Sequence, residues 1–343
     1  LTVDDEPMRK ARAQLGLLKC AFAAEAVKNP VPFEPRNLGP GVNSRDPEYY
    51  PCITADDATL LFTRRVPEPS SPYGMQEDFY VSQRADTTWN KAVPVPSVDT
   101  REANEGAGTL SPDGRFIVFT KCAGIDGSYG PGLKGMGSCD LFISRRIGER
   151  WTRPENLGPP LNSRNWESQP SLASDGRTLY FVRATQAGDG LKGMDIYKSV
   201  LGEDGNFSKP EPLGNTINTP FQEESVQIHP DGRTLYFSSE GHPGMGGLDI
   251  FVSRMNADGS WGKPENLGYP INTAADENSV LVGSDGRVAY FASDRKGGYG
   301  DLDLYAFDLP AAARATPVSY IKGRVTDKST GQPVEADVRR LVP

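Results

Sequence analysis

Along most of this chain apolar and polar residues alternate, and the alternating runs are broken by turns rich in glycine, proline and aspartate. That is the pattern of half-buried β-strands rather than of helices. In residues 224–229, ESVQIH alternates; PDG then makes a tight turn, with glycine suited to a hairpin; RTLYFSS (233–239) is rich in β-formers. A glycine-rich loop leads to LDIFVSR (248–254), and a polar turn leads to WGKPENLG (261–268), whose prolines suit an outer edge. The same order of pieces occurs five times. The turn residues are Asp56, Asp113, Asp175, Asp231 and Asp285, at intervals of 57, 62, 56 and 54 residues. A period of this length with four strands per repeat predicts an all-β, five-bladed β-propeller with four antiparallel strands per blade.

The order of the pieces also predicts how the ring closes. The third strands are DFYVS (78–82), DLFIS (140–144), DIYKS (195–199), DIFVS (249–253) and DLYAF (303–307). Only four of them are followed by a fourth-strand segment; the fifth such segment, FEPRNLG (33–39), precedes the first repeat. The N-terminal strand is therefore expected to complete the last blade, leaving no open edge. Outside the repeats, residues 6–27 lack turn residues except Pro7 and Gly16 and predict one amphipathic helix. The segment 319–340 predicts two strands and a turn, too short for a domain of its own. The final LVP reads as native or as the start of a protease-site tag. The expected division is 1–30 helical, 31–310 propeller, and 311–343 linker with the start of a β-sandwich.

Composition narrows the function. The net charge of −8 disfavours nucleic acid as a partner. No apolar run is long enough to span a bilayer. There are four cysteines, no CxxC pair and two histidines, so neither a metal nor a cofactor is expected. Cys122 and Cys139 bracket one glycine-rich loop; the reading preferred here is a disulfide, which implies an oxidising compartment, and the alternative is two buried thiols. Cys20 with Cys52 is a second pairing with less behind it. GPGLKG (130–135) matches a phosphate-loop pattern, but no helix follows it, and no GxSxG occurs.

Two positions recur in every repeat. Glu48, Glu105, Glu167, Glu223 and Glu277 each stand eight residues before the turn aspartate, at the start of an innermost strand. They are expected either to ring the channel mouth as a site for a cation or a basic partner, or to pair within their own sheets with Arg64, Lys121 and Arg183. Asp78, Asp140, Asp195, Asp249 and Asp303 open the third strands and are expected to accept hydrogen bonds from loop amides as structural residues. The long second-to-third-strand loops share one face with the strand starts, and function is expected there. With identical acids in every repeat and few aromatics in those loops, the chain reads as non-catalytic; the alternative is a glycan or small-ligand propeller with its site at the channel mouth.

The phrase E-x7-DGRTLYFxS followed by GG-x-DIY resembles the PD40 repeat of TolB-like propellers. The segment 19–51, the repeated PENLG and YIKGRVTDKSTGQPVEA resemble OmpA-family envelope proteins of Bacteroidetes-type bacteria, a family that includes the propeller component of the type IX secretion system. The resemblance covers essentially the whole chain. It implies a periplasmic scaffold associated with the outer membrane and partnered by an outer-membrane or secretion-system protein. It also implies a preceding helical repeat segment, a following β-sandwich, and contact with peptidoglycan only through a downstream domain that this sequence does not contain.

Overall fold

The computed structural model describes residues 6–319, apart from 70, 72–73, 96–97, 99–102, 149 and 188–189, together with 325–332 and 334. Each repeat forms an antiparallel meander. The first uses Glu48–Ile53, Thr59–Pro67 and Met75–Ala85, with short outer strands Thr88–Trp89 and Val93–Pro94. The second uses Glu105–Leu110, Phe116–Cys122 and Cys139–Ile147. The third uses Trp166–Leu172, Thr178–Ala187 and Gly190–Val200. It is joined to the second by one parallel bridge, Trp166 to Cys139. The fourth uses Glu223–Ile228, Thr234–Ser239 and Asp249–Arg254, and the fifth Leu281–Val282, Val288–Ser293 and Asp303–Asp308.

The outer strands are shorter than the eight-residue segments in the sequence. In the second and fourth repeats the outer segment is interrupted at the proline: Trp151 and Trp261 pair before it, and Glu155–Asn156 and Glu265–Asn266 pair after it. Proline has no N–H to donate, so the ladder breaks around it. Arg36–Asn37 pairs with Tyr305 and Ala306 of the fifth repeat, so an N-terminal strand lies on the outer edge of the last meander.

The core is divided among the junctions between repeats. Phe79 of the first repeat packs with Phe119 and Phe142 of the second. Leu141 packs with Leu179 and Phe181 between the second and third. Ile196 packs with Phe237 and Phe251 between the third and fourth, and Val252 with Phe307 between the fourth and fifth. Leu60 and Phe62 pack with Leu281 and Leu304, joining the fifth repeat to the first. Burying phenylalanine and leucine at each junction stabilises by about 1.5–3 kcal/mol per side chain.

The α-helix α1 spans Glu6–Ala26 and has no fully buried residue. Its half-buried side, Met8, Leu15, Lys19 and Phe22, meets the loops of the fourth repeat, while Leu17 is 74% exposed. Lys19 Nζ donates to the carbonyls of Gly246 and Gly247, both at 2.9 Å, and Arg12 lies 3.6 Å from Glu240. On the opposite face the chain after Ala311–Ala313 runs across the aspartate turns, with Thr316 N donating to Asp231 Oδ2 and Val318 N to Ser284 O. The β-sandwich expected over 319–340 falls largely outside the described residues, as do the final LVP and the first five residues. Residues 327–332 form a turn.

Candidate functional site

Four of the five glutamates, Glu48, Glu105, Glu167 and Glu223, stand at innermost strand starts, whereas Glu277 lies four residues before the short fifth strand and borders a cavity. Glu48, Glu105, Glu167 and Glu223 are fully buried. The reason is a local hydrogen-bond frame. Each of Glu48, Glu167, Glu223 and Glu277 accepts from the backbone N–H and hydroxyl of the Ser or Thr four residues earlier: Ser44, Ser163, Thr219 and Thr273. In the first four repeats the register then sets the glutamate against a second-strand partner. Arg64 Nε donates to Glu48 at 2.7 Å, Arg183 Nε to Glu167 at 2.8 Å, and Lys121 Nζ to Glu105. Ser239, a residue without charge, does the same for Glu223 at 2.7 Å. Burial pushes the Glu223 carboxyl up to about 7 and raises Glu48 and Glu277, against the pull of these hydrogen bonds.

The third-strand aspartates tie down the loops before them. Asp140 accepts from the amides of Met136 and Gly137 and from Asn156 Nδ2. Asp249 accepts from Met245 and Gly246 N–H, and Asp303 from Tyr299 and Gly300 N–H and Asn37 Nδ2. Asp78 instead accepts from Gln76 Nε2 at 2.9 Å. Burial raises the Asp195 carboxyl. Cys122 and Cys139 form a disulfide across paired strands, while Cys20 is free and exposed and Cys52 free and buried.

Two residues past each glutamate the backbone turns, as a bulge of the innermost strand in the first four repeats and just before the strand in the fifth. Tyr50, Ala107, Gln169, Ser225 and Ser279 all have positive φ, between 48° and 59°. None is glycine, and such backbone conformations cost of order 1–3 kcal/mol each. These five residues surround the neck of a central cavity of about 60 Å³. Gln169 crosses it, donating from Nε2 to Tyr50 Oη at 2.9 Å and to Glu224 Oε2 at 3.2 Å, and accepting from Ser225 N–H at 2.6 Å. The sequence held no signal for this ring, because its members share a position and not a residue type.

Beyond the neck the long-loop face opens into a cavity of about 810 Å³ between the fifth and first repeats. Its wall includes Tyr49, Tyr50, Arg65, Glu77, Asn278 and Arg295. A smaller lobe of about 180 Å³ shares Tyr50 and Glu77 and adds Asn104, Thr120 and Trp166. Tyr49 Oη donates to Glu77 Oε1 at 2.6 Å; burial first, and Glu77 second, push the Tyr49 hydroxyl far up. The aromatics missing from the long loops thus enter from the ends of inner strands. The arms of the first and third repeats stand above the face as paired extensions, Arg65–Pro67 with Met75–Glu77 and Thr185–Ala187 with Gly190–Lys192. Among the described residues no group of three His, Cys, Asp or Glu is placed to hold a metal ion, and no helix is long and apolar enough to cross a membrane.

No protein-family model matches the chain, and no curated protein matches it. Among solved structures, TolB from Acinetobacter baumannii is similar at 15% identity over 80% of this chain, with a TM-score of 0.46; the chain spans 57% of that one. An α-L-arabinofuranosidase from Lactobacillus brevis is similar at 17% identity over 86% of this chain and 97% of that one, TM-score 0.47. A gluconolactonase from Xanthomonas campestris is similar at 12% identity over 81% and 90%, TM-score 0.43. The expectation of a non-catalytic chain is corrected here: two of the three structures named are enzymes. What the chain is similar to is a set of β-propellers of differing function.

Proposed function

We propose that this chain is a closed five-bladed propeller of the bacterial envelope that presents its long-loop face to a protein partner. In this reading the partner is an outer-membrane or secretion-system protein, as in the OmpA-type envelope family that the sequence resembles, and the compartment is the periplasm. The five junction clusters, including the one joining Leu281 and Leu304 to Leu60 and Phe62, support closure. The Cys122–Cys139 disulfide supports an oxidising compartment.

The observation that carries the reading is that the loop face already holds a polypeptide. Helix α1 rests there through Lys19 on two loop carbonyls and Arg12 near Glu240. A rigid face that offers backbone carbonyls and fixed carboxylates to a helix is suited to a second segment beside it. The immobilised chain, incubated with detergent-solubilised envelope from its source, is expected to capture an outer-membrane protein identified by mass. Charge reversal of exposed loop-face acids, Asp126→Lys with Asp294→Lys, should reduce that capture at least about tenfold. The same change on the turn face, Glu203→Lys with Asp258→Lys, should not. Loss only with the turn-face pair, or equal capture by all three, would contradict docking on the loop face.

A further inference from the structure

We infer that the cavity between the fifth and first repeats is a binding site for a short, uncharged oligosaccharide. This goes beyond the docking reading and does not depend on it. The cavity exists because one ladder stops early. The innermost strands of the first four repeats pair over six or seven residues, whereas the fifth pairs only at Leu281–Val282. Thr273 and residues 275–279, which precede the short strand, form part of its wall. At about 810 Å³ the space lies within the usual range of small-molecule sites, about 300–1,000 Å³.

The wall decides the class of ligand by elimination. A hydrocarbon is disfavoured, because Arg65, Glu77, Asn278 and Arg295 project polar groups into the same space. An anion is disfavoured by Glu77, Asp276, Glu277, Asp294 and Asp301, which outnumber the two arginines. A cation meets two arginines, Arg65 and Arg295, in the same wall, and three of the carboxylates already accept hydrogen bonds. Glu77 accepts from Tyr49 Oη, Asp276 from Leu248 N–H, and Glu277 from Thr273. What remains is a mixture of donors and acceptors with aromatic surface: Tyr49 and Tyr50, then Asn104, Thr120 and Trp166 across the shared boundary with the smaller lobe. A polyhydroxylated ring meets that mixture, since each hydroxyl both donates and accepts and the C–H faces pack on aromatic rings. The wall is also held in place. Tyr50 is fixed by Gln169, and Arg295 is stacked over Phe33, Phe291 and Tyr305 at 5.0–5.1 Å, so little ordering cost is left for binding.

The test is titration calorimetry of the whole chain with cellotriose, maltotriose, xylotriose and chitotriose. Trigalacturonate and trilysine serve as charged controls of similar size. At least one neutral trisaccharide is expected to bind saturably in the millimolar range or tighter, and more tightly than both charged controls. Tyr49→Ala should weaken that binding about tenfold, the loss expected for one aromatic contact. Tyr49→Phe, which keeps the ring and removes only the hydroxyl held by Glu77, should retain most of it and controls for misfolding. The inference is overturned if no neutral trisaccharide binds, if Tyr49→Ala binds as the parent does, or if trilysine binds more tightly than every neutral sugar. That last result would make the cavity a seat for a basic peptide.

Discussion

The fourth and fifth repeats are built from nearly the same phrase, HPDGRTLYFSS and GSDGRVAYFAS, yet their innermost strands differ. The fourth pairs from Glu223 through Ile228, with Glu223 opposite Ser239. In the fifth, Glu277 is matched in sequence by Ser293, but the ladder begins only at Leu281. The difference lies in what else reaches the serine. Ser239 Oγ donates to Glu223 at 2.7 Å, whereas Ser293 Oγ accepts from Arg295 Nε at 3.2 Å. Arg295 is held there by three aromatic rings, one of them Phe33 from the N-terminal strand segment.

A second contrast sits four residues past each glutamate. Cys52 Sγ, Thr109 Oγ1, Ser171 Oγ and Gln227 Oε1 accept from the backbone N–H of Leu110, Leu172, Ile228 and Val282 in the following repeat. The fifth repeat has Leu281 there, which accepts nothing. The junction that carries the cavity is therefore also the one built on apolar contact at that level. A repeat architecture can open a site by withdrawing a single hydrogen bond from one copy.

The comparison is broken most severely by removing a second-strand partner where it is charged. Lys121→Ala leaves the Glu105 carboxylate buried at zero exposure and should cost about 3–5 kcal/mol in denaturant unfolding. Loss of nothing measurable would show that the glutamate frame does not hold the inner strands. Next in size is the disulfide of the second repeat. Cys122→Ser with Cys139→Ser removes a cross-link over a separation of 17 residues and should cost about 2–4 kcal/mol by the same measurement.

Smaller still is a pH effect. Glu223 is raised from 4.5 to about 7 chiefly by burial, so its folded pKa exceeds its unfolded one. Its contribution is fully present below pH 4.5 and is lost as pH rises through about 7. Glu223→Gln should flatten the parent's fall in melting temperature across that window. A parent whose stability rises through the window instead would contradict the burial argument.

The repeat and its period were legible in the sequence, and the third-strand aspartates and the glutamates stood out in it, because each recurs at fixed spacing. The cavity was not. It depends on Phe33 and Arg295 meeting across 262 positions and on one serine changing partner, and neither leaves a local pattern. Tyr49, Tyr50 and Trp166 share no recurring spacing, so the sequence pattern did not single them out. Spacing left the glutamates two readings, a channel ring or pairs within their own sheets, because it places a residue at a strand start but does not say which way its side chain points.

The most direct test of the account is amide hydrogen exchange over residues 277–280 in the parent and in Ser293→Arg. The substitution gives the fifth repeat the partner that Arg64 and Arg183 supply in the first and third. The account predicts that 277–280 exchange much faster than the matching residues 223–226 in the parent, and that the variant slows them and loses the neutral-sugar binding. Equal protection of the two stretches in the parent, or an unchanged rate in a variant that folds, would contradict it.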